Sequence, residues 1–225
     1  MSEPPGLVSP SPGFLELVYG IFANPRSTLR TLTHSRRIGW SLGAFYLATI
    51  FNLLINLALN QTSVDFASLL GISSEAGLAI QAHLGYMIAV FSLAGGFLFW
   101  FTSASVLGLM AELFGGKGSV LGLWVGMGFV ALPSVIGTIA DLIIGLAGAP
   151  LALAAIISVA VAIWMLILTV YAVQEAYALP GGTALAIVIL PLIVLVVATI
   201  LMAAAMAATM APFMRGMLEM MPPLP

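Results

Sequence analysis

This sequence predicts an all-α integral membrane protein, with five transmembrane helices and a short N-terminal amphipathic interfacial helix. Three observations carry that prediction. Of 225 residues, 62% are hydrophobic and only 6% are charged, whereas soluble domains hold about 25% charged residues. Five apolar runs follow one another, each reaching the roughly 20 residues needed to cross a hydrocarbon core. The connections between them are short turns, except for one loop after the first run. A formal charge of −2 and the lack of a long basic run argue against a nucleic-acid partner. Without cysteine, disulfides and thiolate metal sites are excluded.

Residues 1–13 hold Pro4, Pro5, Pro10 and Pro12 with Ser and Gly, a composition that predicts an extended, poorly packed tail. This start is acidic and lacks a basic n-region, so it does not read as a signal peptide, and its retention is expected. Residues 14–37 form the interfacial segment. Phe14, Leu17, Val18, Ile21 and Phe22 lie at the spacing of one helical face. Pro25 ends that helix, and Arg26, Arg30, Arg36 and Arg37 follow with Leu29 and Leu32 between them. An apolar stripe beside arginines fits a helix or helix pair at the membrane surface, where arginines meet lipid phosphates. A soluble partner-binding helix is the other reading.

Residues 38–211 form the five-span domain, and 212–225 a short tail. The runs are Ile38–Leu59, His83–Met110, Val120–Leu146, Leu151–Val173 and Ala184–Met210. Four of the six basic residues precede the first run, and Lys117 lies between the second and third. An odd number of spans puts these regions on one side, and the excess of basic residues makes that side cytoplasmic. The C-terminus, with Arg215, is then expected outside. The first outer loop, Asn60 to Ala82, holds Asp65 and Glu75. Gly145–Pro150 and Ala178–Thr183 are turns, so the helices they join are expected to be antiparallel neighbours.

The segment from Ala111 to Pro133 ends one run and starts the next. Gly115, Gly116 and Gly118 surround Lys117, and a tight turn with positive φ at Gly115 and Gly116 is expected. Ser119 is the expected N-cap of the next helix. Gly122 and Gly126 form a GxxxG pair that lets a neighbour approach closely, and Pro133 is expected to kink the helix that contains it. The spacing does not fit a phosphate-binding GxxxxGK[ST] loop, because Ala111 stands at the first glycine position.

Asn52, Asn56 and Asn60 recur at i, i+4 and i+8, on one face of the first span. Three amides facing lipid would be costly, so this face must look into protein or water. It reads either as interhelical hydrogen bonding or as a polar groove for a lipid headgroup or small solute. Glu112 and Glu175 fall at inner helix ends, Asp141 and His83 near the outer surface, and none near mid-membrane, which weakens a proton-coupled or ion pathway. Solvated helix ends are the expected state of both glutamates; pairing of Glu112 with Lys117, or of Glu175 with Lys117 or the arginines, is the alternative. No HExxH, GxSxG or carboxylate cluster at metal-ligand spacing is present. Accordingly no catalytic residue, metal ligand or cofactor site is assigned.

Two segments, Leu113-Phe114-Gly115-Gly116-Lys117-Gly118-Ser119 and Gly128-Phe129-Val130-Ala131-Leu132-Pro133, together resemble the signature region of the Yip domain family. Ile21-Phe22-Ala23-Asn24-Pro25 and Ala172-Val173-Gln174-Glu175-Ala176 extend the resemblance, which covers roughly Phe14 to Met210. It implies five spans, a cytoplasmic N-terminus and importance for Gly128 and Pro133, but no catalytic residue. Eukaryotic members are associated with Rab/Ypt GTPases and vesicle budding. Here the DLYGP motif is missing and the N-terminal region is short, so the chain resembles the prokaryotic branch and Rab binding is not carried over.

The functional expectation is a non-enzymatic protein of a bacterial or archaeal cytoplasmic membrane, acting as scaffold, accessory subunit or membrane-organising factor. Its partners would be the lipid bilayer and a membrane protein or further copies of itself. The alternative is a transporter or channel for a small or lipidic solute, lined by Asn52, Asn56, Ser103, Ser105, Ser134 and Thr138.

Overall fold

The computed structural model describes residues 12–35, 37–59 and 73–220, and they form eight helices. Two short helices come first, α1 (Phe14–Ala23) and α2 (Pro25–Ser35). Pro25 opens α2 at a position where its missing N–H costs nothing, and the Thr28 hydroxyl donates back to the Asn24 carbonyl at 2.9 Å. Gly20 lets the two helices close on each other, since a Cβ there would run into the Thr28 side chain.

The longer helices are α3 (Ile38–Leu59), α4 (Ser74–Leu113), α5 (Val120–Val130), α6 (Pro133–Ala147), α7 (Leu151–Tyr177) and α8 (Gly181–Met220). Five stretches are long and apolar enough to cross a membrane: Ile38–Leu57, His83–Leu113, Val120–Ala147, Ala152–Tyr177 and Gly181–Met210. The third consists of α5 and α6. Between them Pro133 has no N–H to give, and the chain passes on i→i−3 bonds, from Leu132 N to Phe129 O and from Ser134 N to Ala131 O, both 3.1 Å.

The α5 helix lies at the centre, packed against α2, α3, α4 and α7. Fully buried Leu123, Val125 and Phe129 of α5 meet Leu29 and Leu32 of α2, Ala44 of α3 and Leu168 and Val173 of α7 within one core cluster. This core occupies the half of the bundle beside α1 and α2, here termed the cap side. In the other half, apolar side chains of α4 from Tyr86 to Phe99 and of α8 from Leu190 to Met210 face outward, where a bilayer solvates them at no cost.

Three boundaries differ from the sequence reading. The first loop is shorter, because Ser74–Ala82 is already helix: the Ser73 hydroxyl accepts from Ala76 N at 3.3 Å and Glu75 sits in the first turn, where the helix dipole favours an acid. Rather than stopping at Met210, α8 continues to Met220 with Pro191 and Pro212 inside it, so the expected tail from 212 is helical over most of its length. The apolar stripe of α1 and α2 does not lie on lipid; Leu17, Ile21, Leu29 and Leu32 are buried in the core. An amphipathic stripe covers whichever apolar surface it can approach most closely, and the glycines of α5 make that surface protein.

Candidate functional site

The residues of the signature region converge on the cap side, where α2, the turn before α5 and the end of α7 meet. Each contact depends on a side chain being absent. At Gly122 a Cβ would stand 2.6 Å from the Thr33 carbonyl oxygen of α2, and at Gly126 it would stand 3.3 Å from both Ala172 Cβ of α7 and Thr33 Cγ2. This GxxxG pair therefore seats the cap helix α2 against α5, while α7 closes behind it. One turn further, a Cβ at Gly128 would collide with Ser41 of α3, lying 2.5 Å from its carbonyl oxygen. The Ser41 hydroxyl donates to Trp124 O at 2.9 Å, tying α3 to α5 along the same seam.

The turn itself is held by main-chain bonds. Lys117 N donates to Tyr177 O at 3.1 Å and Ser119 N to Ala176 O at 3.4 Å, satisfying carbonyls that the C-terminus of α7 would otherwise leave open. A Cβ at Gly118 would strike the Ala176 carbonyl oxygen, so the turn can lie this close only with glycine there. The Ser119 hydroxyl accepts from Gly122 N at 3.4 Å as the cap of α5. Gly115 has φ +83°, but Gly116 does not have positive φ, contrary to expectation. What requires glycine at Gly116 is packing, because a Cβ there would lie 2.8 Å from Ala111 O and 3.0 Å from Tyr177 Cβ.

Charge completes the assembly. Glu175, expected as a solvated helix end, is only 14% exposed and accepts from Arg26 Nε at 2.9 Å, with Arg30 Nε 3.9 Å away. The pairing follows from the docking of α2: once Leu29 and Leu32 are inside, the i, i+4 arginines project over the end of α7. Glu112 and Lys117 are exposed. Because both arginines are well hydrated, 68% and 75% exposed, the ion pair contributes about 1 kcal/mol or less. Glu175→Gln is expected to loosen the cap without unfolding the bundle. Amide hydrogen exchange should then accelerate in α2 and stay unchanged in α5; equal protection of α2 in both proteins would show that the pair contributes nothing.

The asparagine face is assembled differently. Asn52 Nδ2 donates to Ser134 Oγ of α6 at 2.8 Å, and that hydroxyl donates in turn to Ala131 O at 2.6 Å beside the Pro133 break. Asn56 Nδ2 donates to Asn52 O at 2.7 Å, while Asn60 lies outside the described residues. A cavity of about 370 Å³ opens between α3 and α4 at Asn52 and Asn56. Ser105 is not in it: its hydroxyl accepts from Trp124 Nε1 at 3.3 Å, a tie between α4 and α5. Ser103 and Thr138 do not line it either. Sequence reasoning missed Ser41 and Thr33, whose backbones are what the α5 glycines touch, because a contact partner remote in sequence leaves no local pattern.

Comparison with known proteins agrees with this architecture. None of the curated proteins and none of the solved structures matches the chain. The family model described as the Yip1 domain matches residues 19–203, a span that takes in most of α1, the α2 cap, the glycine turn, the α5 seam and all but the far end of α8. The chain belongs to the Yip1 domain family and is a multi-pass protein of a lipid bilayer.

Proposed function

We propose that this protein works without catalysis, as a scaffold or accessory subunit that presents its cap to a membrane partner or to further copies of itself. One observation carries the proposal. The α1–α2 cap is immobilised on the bundle by buried Leu17, Ile21, Leu29 and Leu32, yet its opposite face shows Leu15 and Tyr19, 79% and 72% exposed, beside Arg26 and Arg30. A cap serving only as a plug has no use for large apolar side chains on its outer face, whereas a preorganised surface with aromatic and arginine groups is what association favours. The polar side chains within the spans support the same reading, since Ser41, Asn52, Ser105 and Trp124 are engaged in helix-to-helix bonds.

Native mass spectrometry after purification in mild detergent tests the proposal. The wild type should carry a stoichiometric partner or second copy, and the double variant Leu15→Ser, Tyr19→Ser should lose it while melting like the wild type. A lone wild-type monomer with turnover or solute flux after reconstitution would refute the scaffold reading.

We further propose that the cap side is cytoplasmic in a bacterial or archaeal membrane, because Arg26, Arg30, Arg36, Arg37 and Lys117 gather there. With no native cysteine, single cysteines at positions 35, 68, 119 and 183 report the orientation. An impermeant maleimide on intact cells should modify only the variant at position 68; equal labelling at 35 and 68 would reverse the assignment.

A further inference from the structure

We propose that the cavity between α3 and α4 is a binding site for an uncharged membrane lipid bearing a free hydroxyl, of which diacylglycerol is the simplest glycerolipid form. The site lies on the far side of the membrane from the cap and is separate from the surface that carries the proposed function.

Its position follows from the helix geometry. Gly96 of α4 lets that helix touch Phe45 and Thr49 of α3, with an added Cβ 3.6 Å and 3.9 Å from them. Beyond this contact the two helices part and the cavity of about 370 Å³ begins. Thr49, Asn52, Asn56 and Ser92 give it polar walls, and Leu53, Leu57 and Ile88 make the rest apolar. At 1.5 Å per residue from Ile38, Thr49 lies about 17 Å and Asn56 about 27 Å along the span. Across a hydrocarbon core of about 30 Å this places the cavity in the leaflet opposite the cap, from the middle of that leaflet to its interface. It opens where lipid glycerol groups lie.

The chemistry of the walls selects the ligand. No charged residue lines the cavity, so a phosphate drawn into it would lose hydration with nothing to pair with. The Asn52 carbonyl oxygen is buried and has no hydrogen-bond partner among the described residues. Its orientation is set from the other end of the amide, because the Ser134 hydroxyl already donates to Ala131 O and can only accept from Nδ2. What remains toward the cavity is an acceptor in a low-dielectric setting, and such an atom is costly to leave unmatched. A hydroxyl donor on an otherwise apolar molecule answers both conditions. Small rotations of the exposed Asn56 side chain admit it from the interface, and the leucines and Ile88 receive the adjoining chain.

Photo-crosslinking of the full chain in phosphatidylcholine nanodiscs tests this. One probe is a diacylglycerol with a diazirine on the acyl chain; the control is the same molecule with its hydroxyl capped as a methyl ether. The diacylglycerol should label peptides covering Thr49–Leu57 and Ile88–Ser92 about fivefold more than the ether, the ratio that one net hydrogen bond supplies. Asn52→Leu should bring the two probes level. Ser92→Phe fills the cavity from α4 without touching the Asn52–Ser134 bond, and should suppress both while the melting temperature stays at the wild-type value. Equal labelling of wild type by the two probes, or labelling unaffected by Ser92→Phe, would overturn the assignment.

Discussion

Gly128→Ala is expected to be among the most damaging single-methyl changes in this protein. A Cβ at Gly128 falls on Ser41, 2.5 Å from its carbonyl oxygen and 2.9 Å from its carbonyl carbon. Those are backbone atoms of α3, so no rotamer change relieves the clash and the two helices must separate. Overpacking of this kind costs about 1–3 kcal/mol. Separation also lengthens the Ser41 Oγ bond to Trp124 O, worth about 1 kcal/mol more. Against a total stability of about 5–15 kcal/mol, the variant should melt well below the wild type and accumulate poorly. Gly39→Ala on α3 is the control: nothing lies within 4 Å of its Cβ position, and alanine is the better helix former, so it should match or slightly exceed the wild type. Coincident melting curves for Gly128→Ala and Gly39→Ala would remove the basis for the seam described between α3 and α5.

The second large effect is expected at Gly118. There an added methyl meets the Ala176 carbonyl oxygen, with Tyr177 Cα at 2.6 Å, in the region where Lys117 N and Ser119 N bond to α7. Gly118→Ala should detach the turn and cost both hydrogen bonds, about 2 kcal/mol together with the repacking around Tyr177. Gly115→Ala has open space and suffers only from its φ of +83°, a strain of about 1 kcal/mol. Gly182→Ala meets nothing and should be neutral. The order of melting temperatures is therefore Gly182→Ala, then Gly115→Ala, then Gly118→Ala at the bottom. Limited proteolysis gives a local readout, since cutting near Lys117 should rise most in Gly118→Ala. If Gly115→Ala is the more damaged of those two, positive φ governs the turn and contact with α7 is secondary.

The contrast between Gly115 and Gly116 shows how far glycines can be read in advance. Both stand in a turn and both were assigned positive φ, yet only Gly115 adopts it; at Gly116 the requirement comes from Tyr177, some sixty positions later in the chain. The GxxxG pair was legible as a close-packing surface, but not its partner, which is the polar cap helix α2 instead of a second spanning helix. Glu175 was read as a solvated end for the same reason. Its pairing with Arg26 and Arg30 arises only after α2 has docked.

What the amino-acid sequence determined by itself is what local chemistry along one helix decides: five spanning stretches, an amphipathic pair before them, the break at Pro133 and the cap at Ser119. Hydropathy acts residue by residue, proline lacks an N–H wherever it stands, and a serine caps the turn that follows it, so none of these awaits the rest of the fold. Only the tertiary structure decided that the cap stripe faces protein, that Gly118 and Gly128 are contact points with backbones far away in sequence, and that Asn52 is tied to Ser134 on one side and borders a cavity on the other. Those outcomes depend on which surfaces reach each other. In a bilayer, apolar faces are equally at ease against lipid or protein, so helix choice falls to the closest backbone approach and the few hydrogen bonds between helices, both properties of pairs that no single segment displays.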